Sequence, residues 1–297
     1  HGKVMHIPVR RFLMQEKVLS SKKNGMAMMI LFILLYAAAA GLTVIGSMFF
    51  LVPAMVIGII WLSLGWIPFL GLRVLKPQEA LVLTLFGKYV GTLKDDGFYW
   101  VNPFCTAVNP AAKTKLNQSG DVDGGAAAKS VLTLATGTTA SSNSTYVNKK
   151  ISLKIMTLNN NRQKINDCLG NPVEIGIAVM WRVTDTAKAV FNVDNYKEYL
   201  SLQCDSALRN IVRIYPYDVA PNVDTTGDGV ADEGSLRGSS EIVAGRIRDE
   251  IQQKVAEAGL EIIEARITYL AYAPEIAAVM LQRQQASAII DARKMIV

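Results

Sequence analysis

Residues 25–72 contain no charged side chain, a run of 48 positions. A helix crosses the hydrocarbon core of a bilayer with about 20 apolar residues. The run is therefore long enough for two spans, expected at about 26–46 and 52–72. Gly46, Ser47 and Pro53 mark the break, with Phe49 and Phe50 at its tip. The alternative is one span followed by a half-inserted helix. The apolar stretch is too long for a signal-peptide core and too long for one buried helix of a globular domain.

The flanks set the expected orientation. Residues 1–25 hold six basic side chains (Lys3, Arg10, Arg11, Lys17, Lys22, Lys23) and one acid, Glu16, a net +5. The whole chain carries +6, so the other 272 residues carry only +1. Basic segments stay on the cytoplasmic side. Two spans return the chain there, where Arg73, Lys76, Lys88 and Lys94 follow. The expected location is integral to the plasma (inner) membrane with the folded part in the cytoplasm. With the positive charge in the tail rather than on a face of the folded body, nucleic acid is not expected as a partner. Three scattered cysteines, Cys105, Cys168 and Cys204, have no metal-ligand spacing and argue against a disulfide framework. Each reads best as a small buried hydrophobe.

Beyond the run, residues 79–85 read as a strand and residues 87–91 as a tight turn into a return strand. Asp95, Asp96 and Gly97 turn again before Phe98, Tyr99 and Trp100. Residues 107–115 have strand character. Residues 119–146 are rich in Gly, Ala, Ser and Thr and bury little, so they read as a loop, with a short strand possible at 131–134. Ile151, Leu153 and Ile155 alternate as a strand. Val173, Ile175, Ile177, Val179, Trp181 and Val183 alternate over eleven residues, a strand with one buried face. A capped turn at 184–191 leads to a helix over 195–213 with Leu200, Cys204, Leu208 and Ile211 on one stripe. Residues 221–238 form a loop. A helix over 239–258 turns Ile242, Ile247, Ile251 and Val255 inward and ends at Gly259. Residues 260–272 form a strand, and Pro274 opens a last helix. No stop signal precedes Val297, so this helix is expected to run on.

Three stretches carry a resemblance. The first is LKPQEALVLTLFGKYVGTLKDDGFYWVNPF directly after the apolar run. The second is GNPVEIGIAVMWRVTDTAKAVFNVDNY with SALRNIV in the following helix. The third is YAPEI before the Gln- and Ala-rich MLQRQQASAIIDAR. In this order they resemble the SPFH or Band 7 family of stomatins, prohibitins and flotillins, over about 75–297 with an insertion at about 113–150. The resemblance implies an α+β fold: a transmembrane hairpin at 26–72 after a basic segment 1–25, an SPFH domain at 73–273, and the start of a coiled-coil helix at 274–297. It implies a non-enzymatic scaffold that assembles with itself into a ring or cage enclosing a membrane microdomain. Implied partners are membrane lipids, copies of the chain itself and a membrane AAA protease or other membrane protein. The alternatives to a scaffold are a regulatory subunit of a protease or channel and a calcium-responsive module acting through residues 224–235.

Candidate site residues fall in three groups. The loop from Asp224 resembles a calcium loop, with Asp224, Thr226, Asp228, Val230 and Asp232 at positions 1, 3, 5, 7 and 9. Position 12 is Ser235 instead of the bidentate Glu, so an acidic turn is the favoured reading and no metal is expected. The aromatic set Trp66, Phe98, Tyr99, Trp100 and Phe104 either packs a β core or dips into the headgroup layer. In the last helix Ile276, Val279, Arg283, Ala286, Ile290, Arg293 and Val297 lie at spacings of three and four, close to a heptad seam. The alternative is a helix folded back on the core. The only histidines, His1 and His6, lie in the tail, and no nucleophile elbow, phosphate loop or Cys–His pair occurs, so no catalytic or cofactor site is expected.

Overall fold

In the computed structural model the described residues are 15–19, 24–50, 52–114, 116, 148–218 and 234–296. They divide into two compact units. The first comprises residues 1–113, 138–154 and 185–194, the second 114–137, 155–184 and 195–297.

The first unit starts with two apolar helices, α1 (Gly25–Met48) and α2 (Val52–Leu64). At 1.5 Å per residue α1 is about 36 Å long and α2 about 20 Å. Both pass for membrane spans by length and composition, the second counted through Gly71. They run antiparallel, joined by a short link, and small residues let their backbones meet. A Cβ on Gly46 would lie 2.8 Å from the Met55 nitrogen, and one on Gly58 would collide with the Thr43 methyl. The stretch 52–72 is not one uninterrupted helix. After Leu64 it turns at Gly65 and Trp66 and continues as a 3-10 turn, Ile67–Gly71, about 10 Å long. Ending α2 frees the Leu62 carbonyl, which the Tyr36 hydroxyl on α1 satisfies at 2.9 Å. In a bilayer a freed carbonyl would require such a partner.

Strands follow: β1 (Leu72–Leu75), β2 (Glu79–Leu85), β3 (Lys88–Leu93), β4 (Gly97–Trp100), β5 (Thr106–Ala107) and β6 (Ile151–Ser152). β1 and β4 form a two-stranded antiparallel ribbon, and β2 lies between β3 and β5 while also pairing β6. Leu75, Leu81, Leu83, Leu93, Tyr99 and Cys105 form the core. The β2–β3 turn is Phe86–Gly87, both at positive φ (48° and 82°), so the tight turn sits earlier than the glycine spacing predicts. Two left-handed residues match the twist of a two-residue hairpin, and Phe86 accepts that conformation at its exposed tip. The strand expected at 107–115 is cut short: Pro110, lacking an N–H, opens a 3-10 turn, Pro110–Lys113. The alternation of Ile151, Leu153 and Ile155 also misleads, because β6 ends at Ser152 and Ile155 is exposed.

Residues 15–19 complete this unit. Val18 bridges Thr92 in parallel; the Leu19 amide donates to the Thr92 carbonyl at 2.8 Å and the Thr92 amide to the Lys17 carbonyl at 2.9 Å. Leu19 packs on the β core. Helix α3 (Thr186–Phe191) belongs here too. Asp185 caps it by accepting from the Lys188 amide, and Glu16 accepts from the Thr186 amide at 3.1 Å and its hydroxyl at 2.5 Å. A carboxylate at the first turn satisfies free donors and opposes the helix dipole.

The second unit is built on β9 (Pro172–Val183) and β10 (Leu260–Tyr272), antiparallel neighbours. On the opposite edge of β9 lie β7 (Met156–Asn159) and β8 (Gln163–Asn166). The six alternating residues from Val173 to Val183 are all buried, as the pattern requires. Fully burying side chains of this size contributes roughly 1.5–3 kcal/mol each. Helix α4 (Tyr196–Val212), capped by Asn195, buries Leu200, Cys204, Leu208 and Ile211, and its Tyr196 meets Trp181 edge to face at 6.2 Å. Helix α5 (Ser240–Val255) buries Val243, Ile247, Ile251 and Val255. The expected stripe is therefore corrected at its start: Ile242 is exposed, and Val243 keeps the four-residue spacing. Gly259 ends the following 3-10 turn at φ 66°, left-handed as a helix stop demands. The Gln252 amide mimics a strand partner for β10, donating to the Leu260 carbonyl and accepting from the Ile262 amide. Helix α6 (Pro274–Ile296) closes the chain.

Candidate functional site

The foot of the apolar helices is built from the β1–β4 ribbon. A Cβ on Gly25 would lie 2.6 Å from the Phe98 carbonyl, so only glycine admits this approach. Phe32 of α1 packs on Phe69 (5.6 Å) and Trp100 (5.9 Å), and the Trp100 indole N–H donates to the Pro68 carbonyl at 3.0 Å. The aromatic set expected at a headgroup layer is thereby divided. Tyr99 is 2% exposed and donates to the Asp95 carbonyl, so it is a core residue and leaves that set. Phe98 and Trp100 are half-buried braces under α1, while Trp66 and Phe104 are open. Val74, paired with Phe98, is 61% exposed on the same ribbon. Sequence reasoning missed Val74, and it missed Phe86 at the hairpin tip; β1 is too short to show alternation.

Charge at this end is held in place. Glu16 also accepts from the Lys94 ammonium at 2.6 Å. Burial works to raise the Glu79 carboxyl, but hydrogen bonds from the Lys150 ammonium and the Lys76 amide, with the charges of both lysines, hold it below its ordinary range.

The second candidate region is α6. The Ala273 amide donates to the Pro172 carbonyl and Lys164 pairs with Glu275 at 2.6 Å, which fixes the helix start. Beyond that start, Ile276 is half-buried, while Val279, Arg283, Ala286, Ile290 and Arg293 are exposed; Val297 lies outside the described residues. Leu281 and Ile289, not in the expected seam, are also exposed. The helix thus shows large apolar side chains on more than one face, a feature hidden by reading a single heptad.

The calcium-loop residues Asp224, Thr226, Asp228, Val230 and Asp232 lie outside the described residues. Ser235 is described: it is fully buried, and its hydroxyl accepts from the Gly238 amide at 2.9 Å. It serves the turn into α5. Among the described residues no three His, Cys, Asp or Glu side chains cluster as metal ligands. Cys105 and Cys204 are buried, and Cys204 is pushed up to about 12 by burial and then by Asp205. Cys168 is exposed, contrary to its reading as a buried hydrophobe.

A family model, SPFH domain / Band 7 family, matches residues 73–295. The chain belongs to the SPFH domain / Band 7 family. The match begins at Arg73, directly after the apolar stretch, and takes in both β units, so a membrane scaffold-type role holds for this chain at the level of the family. SPFH proteins are generally non-enzymatic scaffolds. No curated protein matches the sequence.

Proposed function

We propose that this SPFH protein is a non-enzymatic membrane scaffold that assembles with itself into a closed ring or cage around a patch of lipid. The observation that carries the reading is α6, whose Val279, Leu281, Ile289 and Ile290 stand open to solvent in the single chain. Side chains of this size on several faces of one helix call for protein neighbours on more than one side. Arg283 and Arg293 in the seam disfavour an isolated two-stranded coil. Head-to-tail contacts between unlike faces close into rings. Partners on this reading are membrane lipids and further copies of the chain, with a membrane AAA protease as a candidate guest. The runner-up, a calcium response through residues 224–235, is checked by calorimetry with calcium, where no heat is expected.

The hairpin is proposed to cross the membrane twice, with both ends in the cytoplasm. The pairing of residues 15–19, before the helices, with Thr92, after them, supports a single side for both ends. The basic tail supports the cytoplasmic one. A cysteine placed within residues 119–146 is expected to resist an impermeant thiol reagent in intact cells; ready labelling overturns the topology. Mass measurement in mild detergent is expected to give more than about six copies, the scale of a closed ring. Ile290→Asp, at an exposed position, is expected to yield small species with the SPFH domain still folded. A monodisperse monomer or dimer of the unmodified protein overturns the scaffold reading.

A further inference from the structure

The two units differ in charge. The unit that carries the hairpin has 15 basic and 6 acidic residues, a net +9; the other has 16 and 19, a net −3. Within the first, Lys94, Lys150 and Lys188 are paired with Glu16, Glu79 and Asp185. Arg73 and Lys76 are exposed, and neither makes an ion pair among the described residues. Glu79 lies near Lys76, but its carboxylate already holds the Lys150 ammonium at 2.8 Å.

The position of these two cations matters. Arg73 is the second residue of β1, one step past the residue that pairs with Trp100 at the foot of α1. The Val101 amide donates to the Gly71 carbonyl at 2.9 Å, and the Cys105 amide to the Asn102 carbonyl at 2.9 Å, which brings the turn that exposes Phe104 next to the start of β1. Val74, between Arg73 and Lys76, is exposed and pairs with Phe98, the residue that meets Gly25. We propose that Arg73 and Lys76 form a docking surface for the phosphate of anionic phospholipids, with Val74 and Phe104 entering the apolar layer beside them.

A guanidinium binds a phosphate through paired N–H donors, and among the described residues no carboxylate forms an ion pair with Arg73. Each basic residue held at an anionic surface raises local binding about fivefold. Open apolar side chains next to the cations favour a lipid headgroup over a nucleic acid, whose phosphates offer nothing for Val74 or Phe104 to enter. The proposal rests on the membrane reading above and adds selectivity to it.

The test uses the full chain in phosphatidylcholine bilayers that contain brominated phosphatidylglycerol or brominated phosphatidylcholine at equal mole fraction. Bromine quenches nearby tryptophans, here Trp61, Trp66 and Trp100. The expected result is a several-fold preference for phosphatidylglycerol in the unmodified chain. R73K/K76R is expected to keep that preference, and R73Q/K76Q to fall near unity. Equal quenching by the two lipids in the unmodified chain overturns the proposal, as does a preference unchanged in R73Q/K76Q. Resistance to carbonate extraction is scored in parallel. An inserted chain without preference removes only the selectivity; a chain washed from the bilayer removes the membrane reading as well.

Discussion

Helices α1 and α6 are nearly equal in length, 24 and 23 residues, and both leave large apolar side chains uncovered. In α1 those side chains run all round, with Ile30, Leu31, Ile33 and Leu34 among them, and no charge interrupts them. In α6 the exposed Val279, Leu281, Ile289 and Ile290 share the surface with Arg283 and Arg293. The contrast separates two kinds of missing surroundings. A medium with no hydrogen-bonding capacity suits α1, apart from the stripe that meets α2. A neighbour that accepts guanidinium groups at its rim suits α6.

One substitution in each helix breaks this comparison if it is wrong. A lysine at the centre of a span costs about 3 kcal/mol of insertion free energy. Leu34→Lys is therefore expected to turn a carbonate-resistant chain into a largely extractable one. Val279→Lys is expected to leave extraction unchanged while lowering the mass of the detergent-extracted particle. If both variants lose insertion, α6 also rests in lipid and the distinction fails.

A smaller effect sharpens the hairpin side. Tyr36→Phe removes the donor to the Leu62 carbonyl at the end of α2. Interhelical hydrogen bonds in membranes contribute about 1 kcal/mol. The variant is expected to melt at slightly lower temperature in detergent with assembly intact. An unchanged melting curve means the carbonyl finds another partner, and the break in α2 is then free of dependence on α1.

The smallest expected effect concerns the β subdomain below the hairpin. The Glu79 carboxyl is held below its ordinary range in the folded chain. Its contribution to stability is thus complete above the ordinary glutamate range and is lost as pH falls through the depressed folded value. Melting temperature is expected to decline more steeply with acid in the unmodified chain than in Glu79→Gln. Parallel curves remove this contribution.

Legibility in the sequence followed the range of the interactions. β9 was fully legible because six alternating apolar residues form a strand buried on one face, whatever its neighbours. Gly259 and Pro274 were legible because a left-handed stop and a missing N–H act within their own turn. The β2–β3 turn was misplaced because Phe86, not a glycine, takes the first left-handed position. Ile242 was misassigned although helical spacing excludes it: nine residues before Ile251 it lies half a turn away, whereas Val243 stands four residues before Ile247. Of the aromatics near the apolar run, Trp66 and Phe104 are exposed, while Tyr99, grouped with them by the same reasoning, belongs to the β core. The docking of residues 15–19 left no trace, since a single bridge to Thr92 and a contact from Glu16 to Thr186 have no local period.

That docking has a bearing on synthesis. Residues 15–19 leave the ribosome before Thr92, which follows more than 70 residues later, and before Thr186, later still. Both apolar helices intervene. Both hydrophobic segments must therefore be made before residues 15–19 can find their partners. The bridge at Val18 forms only after both apolar helices have been made.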